Sequence, residues 1–157
     1  MITCTRRIQF CAGHRVYGHE GKCRNIHGHN YVALFTAQAE ALDGIGRVID
    51  FSVLKERLGG WIEENWDHGF IYWEDDPEMV SLFILSRIPT DFGEAITKRS
   101  SPNGEFKAYC LPENPTAENM AVYLLHEIAP TMLEGTGIWL NKVQLWETEN
   151  CYATAEL

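Results

Sequence analysis

The chain has 157 residues, 45% of them hydrophobic and 11% aromatic, which predicts one globular domain over residues 1–157 and excludes disordered, collagen-like and low-complexity proteins. The formal net charge of −9 offers no basic surface to nucleic acid, although a local basic cluster can still bind an anionic small molecule. No run of 18 apolar residues, no apolar segment after Arg6 and Arg7, and five cysteines without a C-x-x-C pair predict a reduced cytoplasmic protein without membrane contact.

Alternating hydrophobicity predicts two strands in the first quarter of the chain. Ile8 and Phe10 lie on one face of a strand over residues 2–11. Over residues 28–40 both faces are apolar, which predicts a long strand that is covered on both sides. Between the two strands, residues 15–26 carry two glycines and mixed charge and are typical of a loop.

Two helices are predicted where a capping residue precedes apolar side chains at helical spacing. Asp50 can cap the first helix, which a Gly-Gly pair weakens in its middle. The second helix starts near Pro115, with Asn114 or Thr116 as its cap, and Pro130 ends or kinks it. The apolar positions are Phe51, Leu54, Leu58, Trp61 and Ile62 in the first helix and Ala117, Ala121, Leu124, Leu125 and Ile128 in the second.

Between these helices the pattern is irregular, with one further helix start at Asp76-Pro77-Glu78. The order of strand, strand, helix, irregular segment, helix, strand and strand favours an α+β fold, with neither a repeat nor a linker. The other predicted elements are a surface loop at 98–104, a short strand at 105–111, and two strands at 138–147 and 152–157.

Three histidines are candidate metal ligands. His27 and His29 are separated by one residue on a predicted strand, so their side chains share a face about 6.5–7 Å apart. His14 ends the first strand, and the loop that follows can return the chain to this pair. Three imidazoles with no obvious fourth protein ligand are the pattern of an open, catalytic zinc site. The alternative is that the H-x-H pair is a chance feature of a solvated strand.

The other histidines give weaker signals. His19 lies in a loop and can compete as a ligand, whereas His126 falls off the apolar stripe of its helix and is expected to be solvated. His68 follows Asp67, which could orient an imidazole for proton transfer. Asp-His is also a common surface pair, and that interpretation is favoured without further context.

Cys23 lies between Lys22 and Arg24, whose positive charges favour the reactive thiolate. Three interpretations remain open for this thiol. It can be a fourth zinc ligand, which would make the site structural, a catalytic base, or a buried thiol.

Glu147 shares a strand face with Val143 and Leu145. A carboxylate at such a position is either solvated at a sheet edge or buried in a pocket. In a pocket it can accept two hydrogen bonds from a guanidine-like ring edge. The sequence favours neither interpretation.

Several motifs follow one another along nearly the whole chain. They are Phe10-Cys11-Ala12-Gly13-His14-Arg15, Lys22-Cys23-Arg24-Asn25-Ile26-His27-Gly28-His29-Asn30-Tyr31, Val48-Ile49-Asp50-Phe51, Leu54-Lys55, Asp67-His68, Pro115-Thr116-Ala117-Glu118-Asn119 and Glu147-Thr148. In this order they resemble the zinc and cysteine signature of the 6-pyruvoyltetrahydropterin synthase family, which includes the bacterial 6-carboxytetrahydropterin synthases of queuosine biosynthesis. Each motif is weak alone, and the ordered set is highly specific.

The resemblance implies a tunnelling fold, in which an antiparallel four-stranded sheet carries two helices on one face. Such domains assemble into a barrel-like homo-oligomer, commonly a hexamer of two trimers. The resemblance also implies Zn2+ on His14, His27 and His29, with Cys23 as the base that abstracts a proton.

The remaining site residues are assigned by the same resemblance. Asp67 and His68 would form a relay that is brought in from a neighbouring subunit. Glu147 would anchor the amino and ring nitrogens of the pterin, assisted by Glu118 or by the backbone beside Thr116.

The implied substrate is 7,8-dihydroneopterin triphosphate, and the expected lyase reaction yields 6-carboxy-5,6,7,8-tetrahydropterin with loss of triphosphate and acetaldehyde. Zinc can polarise the side-chain hydroxyls of the substrate, and a thiolate can then remove the acidified proton. Three residues separate Cys23 from His27, which resembles the carboxytetrahydropterin branch, whereas the animal-type pyruvoyl enzymes have a longer segment. The alternatives are a 6-pyruvoyltetrahydropterin synthase and a non-catalytic module with a structural zinc.

Arg15, Lys22 and Arg24 are the cations that we expect near the phosphates. Two features depart from the family pattern. Residues 72–110 are longer than in compact members, and we expect them to reshape the pocket mouth or a subunit contact. Cys11 lies where related chains often have Ser or Asp, and it is a candidate second reactive thiol.

Overall fold

The structure, a computed structural model, describes residues 1–85 and 106–157 as a six-stranded sheet with its helices. The predicted loop at 98–104 lies outside the described residues. The strands are β1 (Ile2–His14), β2 (His27–Ala39), β3 (Gly69–Trp73), β4 (Ala108–Leu111), β5 (Trp139–Thr148) and β6 (Cys151–Glu156). The helices are α1 (51–65, comprising Phe51–Leu54, a π-helical turn Lys55–Gly59 and Gly60–Asn65), α2 (Pro77–Leu85) and α3 (117–132, comprising Ala117–Tyr123, a π-helical turn Leu124–Ile128 and Ala129–Met132).

The sheet is mixed, with the strand order β4-β3-β1-β2-β5-β6. β1, β2, β5 and β6 are antiparallel neighbours, as predicted. The predicted number of four strands is wrong, because β3 pairs in parallel with the end of β1 and β4 pairs in parallel with β3. The described parts of the 72–110 segment therefore extend one edge of the sheet, where they form α2 and β4.

One face of the sheet carries the main hydrophobic core. Phe10, Tyr31 and Phe35 are buried on this face together with the apolar stripes of α1 and α3, which confirms that two helices pack there. On the opposite face of β2, Val32 and Leu34 are only half-buried, so the expected covering of both faces is not present in the single chain. None of the helices in the described ranges is long and apolar enough to cross a bilayer.

Both predicted caps are present, and both long helices contain a π-helical turn. The Asp50 carboxylate accepts from the backbone N–H of Ser52 at 2.8 Å, and Thr116 is the cap of α3. Pro130 has no N–H to donate to the helix. The π-helical turn Leu124–Ile128, which ends two residues before Pro130, accommodates one extra residue. The helix therefore continues to residue 132 and does not end at the proline.

A buried ion pair attaches the start of α2 to the end of β1. Arg15 donates two hydrogen bonds of 2.7 Å to Asp76, whose side chain is 1% exposed. Asp76 also accepts from the backbone N–H groups of Glu78 and Met79, which confirms the predicted helix start. Burial alone would raise the pKa of Asp76, but the hydrogen bonds from Arg15 and the backbone outweigh it and lower that pKa below 3.8.

Replacing Asp76 with Ala should lower the free energy of unfolding by about 3 kcal/mol near neutral pH, because the change leaves a nearly buried guanidinium without its main partner. A carboxyl group with a depressed folded pKa contributes stability above its unfolded pKa of about 3.9 and loses it as the pH falls further. The difference between Asp76→Ala and the wild type should therefore shrink below about pH 4. Urea unfolding at a series of pH values measures both effects.

Asp75 provides the matched control, because it is the exposed neighbour in the same turn. Asp75→Ala should change the free energy of unfolding by less than about 0.5 kcal/mol. Equal losses in the two variants, or a difference that does not depend on pH, would contradict the role given to the ion pair.

Candidate metal centre

Strand pairing brings the three predicted histidines together. In the antiparallel register of β1 and β2, His14 lies opposite His27 and Ala12 lies opposite His29, so all three imidazoles share the face that carries the core. The ring centroids are 4.5 to 5.1 Å apart. The histidines therefore form one compact cluster at the end of the β1–β2 pair.

Two backbone carbonyls fix the orientation of the His14 and His27 rings. The Nδ1 atom of His14 lies 2.8 Å from the carbonyl oxygen of Pro115, and Nδ1 of His27 lies 2.7 Å from that of Asn25. Because a carbonyl oxygen only accepts, each Nδ1 carries the proton and each Nε2 of a neutral ring presents a lone pair. The Nε2 atoms of His14 and His27 face each other at 3.1 Å. Two lone pairs at this distance repel unless a cation lies between them, so the donor set fits a metal ion.

Glu147 completes the cluster. Its Oε1 lies 3.1 Å from Nε2 of His14 and 3.0 Å from Nε2 of His29. The four ligand atoms of His14, His27, His29 and Glu147 all lie within 4.8 Å of one another, a group that could hold a metal ion. The Glu147 side chain is 23% exposed, so the interpretation as a solvated edge residue is wrong.

The electrostatics of the cluster favour neutral imidazole beside an ionised carboxylate. Burial lowers the pKa of His29, and the neighbouring imidazoles add to this effect although Glu147 opposes it. When His14 is protonated, a hydrogen bond from its Nε2–H lowers the pKa of Glu147 and outweighs the effect of burial. Neutral histidine and ionised carboxylate are the forms that coordinate metals.

Cys23 lies outside this ligand group. It sits in a short 3-10 turn, Lys22–Arg24, and its carbonyl oxygen accepts from the N–H of Val16 at 2.8 Å. Among the described residues, the metal-ligand group contains Glu147 and not the Cys23 thiol. This geometry does not support the interpretation of Cys23 as the fourth ligand.

The side chain of Asn114 connects the segment before α3 to the loop between β1 and β2, which carries Cys23. Its side-chain amide accepts from the N–H of Tyr17 at 3.0 Å and donates to the carbonyl of Tyr17 at 2.7 Å. The next residue is Pro115, whose carbonyl orients His14. Sequence reasoning considered Asn114 only as a helix cap, and only the tertiary structure places it beside Tyr17.

Asp67 and His68 lie on the other side of the sheet. Asp67 accepts from the N–H of Cys11 at 2.9 Å and from Nδ1 of His68 at 3.0 Å, and the His68 side chain is 80% exposed. Cys11 and Asn30, which share a 3.0 Å hydrogen bond, point away from the face of His14. A shallow cavity of about 370 Å³ is lined by Cys11, Asn30 and His68, and also by His29. Asp67 and His68 are not part of the ligand group of the described residues.

Several other predicted residues also lie outside the ligand group. Thr116 accepts from the N–H of Asn119 as the cap of α3, and Glu118 is exposed in the first turn of that helix. His19 accepts from a backbone N–H within its own loop, and His126 is exposed as expected.

The three cations expected near phosphate differ in their surroundings. Arg15 is held by Asp76 and also donates to Glu78 at 2.6 Å, so its guanidinium is already engaged by carboxylates. Lys22 and Arg24 are exposed, and neither forms an ion pair with another described residue. These two side chains remain the candidate phosphate contacts.

Comparison with known proteins supports the family resemblance seen in the sequence motifs. The family model described as 6-pyruvoyl tetrahydropterin synthase matches residues 3–157. A Rickettsia bellii protein named 6-carboxy-5,6,7,8-tetrahydropterin synthase is 41% identical over 152 residues, which cover 97% of this chain and 98% of the relative. An Aquifex aeolicus protein of the same name is 32% identical over 163 residues, covering 92% and 91% of the two chains.

Solved structures agree on the fold. The 6-pyruvoyl tetrahydropterin synthase of Caenorhabditis elegans superposes with a TM-score of 0.65 at 22% identity, covering 99% of this chain and 95% of that one. An uncharacterized protein of Wolinella succinogenes gives a TM-score of 0.77 at 22% identity, covering 99% and 97%. The match to the family model and the 41% identity to the Rickettsia bellii protein show that the chain is a member of the 6-pyruvoyl tetrahydropterin synthase family.

Proposed function

We propose that the protein is a zinc-dependent 6-carboxy-5,6,7,8-tetrahydropterin synthase of the cytoplasm. With water, it would convert 7,8-dihydroneopterin triphosphate into 6-carboxytetrahydropterin, triphosphate and acetaldehyde. The observation that carries the proposal is the convergence of three imidazoles, two of them oriented by backbone carbonyls, and Glu147 in one cluster. The names of the relatives at about 40% identity support this branch of the family.

His14, His27 and His29 are the residues that would hold the zinc ion, which supplies Lewis acidity at the side-chain hydroxyls of the substrate. The Pro115 and Asn25 carbonyls keep two of these rings in the tautomer that presents Nε2. The protein thereby prepares the donor set before any metal binds.

Cys23 would act as the base, because its half-buried thiol lies in the turn Lys22–Arg24, shortly before the strand that carries His27 and His29. Glu147 would bind the amino and ring nitrogens of the pterin through two charge-assisted hydrogen bonds, with help from Glu118 or from the backbone beside Thr116. Its position beside the imidazoles would bring a bound pterin next to the cluster.

Asp67 and His68 would serve the Cys23 thiol of a neighbouring subunit in a homo-oligomer, which we propose to be a hexamer of two trimers. The location of this pair supports the arrangement, because an exposed His68 on the opposite side of the sheet is free to reach another copy. Asp67 would keep the imidazole oriented for proton transfer.

The runner-up is a 6-pyruvoyltetrahydropterin synthase, which would act on the same substrate but keep the side chain as a pyruvoyl group. The three-residue segment between Cys23 and His27 supports the carboxytetrahydropterin branch. A non-catalytic zinc module receives less support, because the Cys23 thiol is outside the ligand group of the described residues.

Replacing His27 or His29 with Ala should remove most bound zinc and abolish activity, because two imidazoles are left to hold the ion. Metal analysis of the purified variants measures the zinc content per subunit. His126→Ala is the control, since this exposed histidine lies outside the cluster and its loss should leave zinc content unchanged. Full zinc occupancy in the His27 and His29 variants would exclude the proposed site.

Glu147→Gln tests the pterin anchor. Loss of a charge-assisted pair is worth roughly 1.5–3 kcal/mol, so pterin affinity should fall about 10- to 150-fold. Zinc content should stay unchanged, because the three imidazoles remain. If zinc is lost while the remaining metal-loaded protein binds pterin normally, Glu147 is a metal ligand and the anchor assignment is wrong.

Product analysis separates the two enzyme branches. The wild-type protein incubated with dihydroneopterin triphosphate should release acetaldehyde and form 6-carboxytetrahydropterin. Cys23→Ala should abolish this reaction and retain zinc, because the thiol is the proposed base and not a ligand. A pyruvoyl pterin without acetaldehyde would assign the protein to the runner-up, and zinc loss in Cys23→Ala would favour a structural site.

A further inference from the structure

Tyr31 has a buried hydroxyl group beside the histidine cluster. The residue follows His29 by two positions on β2 and is completely buried. Its hydroxyl forms no hydrogen bond with any described residue. A buried polar group without a partner is destabilising, so a hydroxyl retained at such a position calls for an explanation.

The surroundings of the ring place Tyr31 beside the histidine cluster. One face of the Tyr31 ring stacks on Phe10 at 5.1 Å with an interplanar angle of 14°. The ring meets the imidazoles of His14 and His29 edge to face, with centroids 5.8 and 5.4 Å away. Tyr31 therefore forms part of the wall against which the histidine cluster is built. The packing on Phe10 restricts rotation of the ring away from it.

A second unpartnered atom lies in the same wall. Nε2 of His29 is also buried without a hydrogen bond of acceptable geometry among the described residues, although Glu147 lies 3.0 Å away. A phenol hydroxyl can donate one hydrogen bond and accept another.

We infer that Tyr31 is a substrate-binding residue whose hydroxyl forms a hydrogen bond with a side-chain hydroxyl of the pterin substrate. The inference rests on the proposed function, in which the hydroxylated side chain of the pterin lies beside the three imidazoles. A site built to pair with a substrate hydroxyl rejects analogues that lack it, because its own buried polar group then stays unpaired. Tyr31 thus selects pterins with a hydroxylated side chain over pterins without one.

Tyr31→Phe tests the inference, because it removes one oxygen and keeps the ring. The probes are 7,8-dihydroneopterin, which has the hydroxylated side chain, and 7,8-dihydropterin, which has none. In titrations followed by fluorescence, the zinc-loaded variant should bind dihydroneopterin about 3- to 10-fold more weakly than the wild type. Its affinity for dihydropterin and its zinc content should be unchanged. Without ligand, its Tm should be equal to or higher than that of the wild type.

Tyr123→Phe is the matched control, because the Tyr123 hydroxyl has a protein partner, the hydroxyl of Tyr109 at 2.9 Å. This variant should lose about 2–4 °C in Tm and keep wild-type affinity for both probes. Equal binding of dihydroneopterin by Tyr31→Phe and the wild type would overturn the inference and leave the proposed function intact. If the wild type binds neither probe, the proposed function and the inference fail together.

Discussion

The pairing of β1 with β2 determines where the chemistry of this protein can occur. The two strands pair from Ile2 opposite Ala39 to His14 opposite His27. Because side chains alternate between the faces of a sheet, a slip of one residue would send the imidazoles of one strand to the opposite face. The hydrophobic pattern disfavours such a slip, because Phe10 and Tyr31 are buried on the same face as the cluster. The core thus fixes the register, and the register assembles the donor set.

The remaining parts of the site are attached to this pair by other elements. β5 pairs with β2 and delivers Glu147, and the segment before α3 delivers the carbonyl of Pro115. Asn114 then connects that segment to the loop that carries Cys23. Each chemical group is held by regular structure or by two hydrogen bonds, which is the rigidity that a preorganised site needs. The same arrangement leaves buried polar atoms beside the cluster without hydrogen bonds to the described residues. Such atoms lower the stability of the fold at the site.

The sequence predicts those features that depend on local pattern. Periodicity identifies the four antiparallel strands and both long helices, and the H-x-H spacing identifies the histidines. The strand Gly69–Trp73 was missed because it is a short apolar run without alternation. This strand joins the sheet by pairing in parallel with the end of β1, which is a contact between distant parts of the chain.

Contacts between distant residues were equally inaccessible from sequence. The distance of Glu147 from the imidazoles depends on the pairing of β5 with β2. The pairing of Arg15 with Asp76 depends on where α2 begins in space. Such contacts are set by tertiary packing, which no local pattern encodes.

All three imidazoles belong to one hairpin, residues 2–39, whereas Glu147 and the Pro115 carbonyl come from the last third of the chain. A hairpin forms from contacts that are close in sequence, and such contacts are made early in folding. Three of the four ligand residues that could hold a metal ion would therefore come together before the helices dock. A metal that binds this partly folded hairpin lowers its free energy together with that of the native state. A metal ion bound at this cluster would therefore stabilise the complete fold by less than its affinity for the native protein alone would indicate.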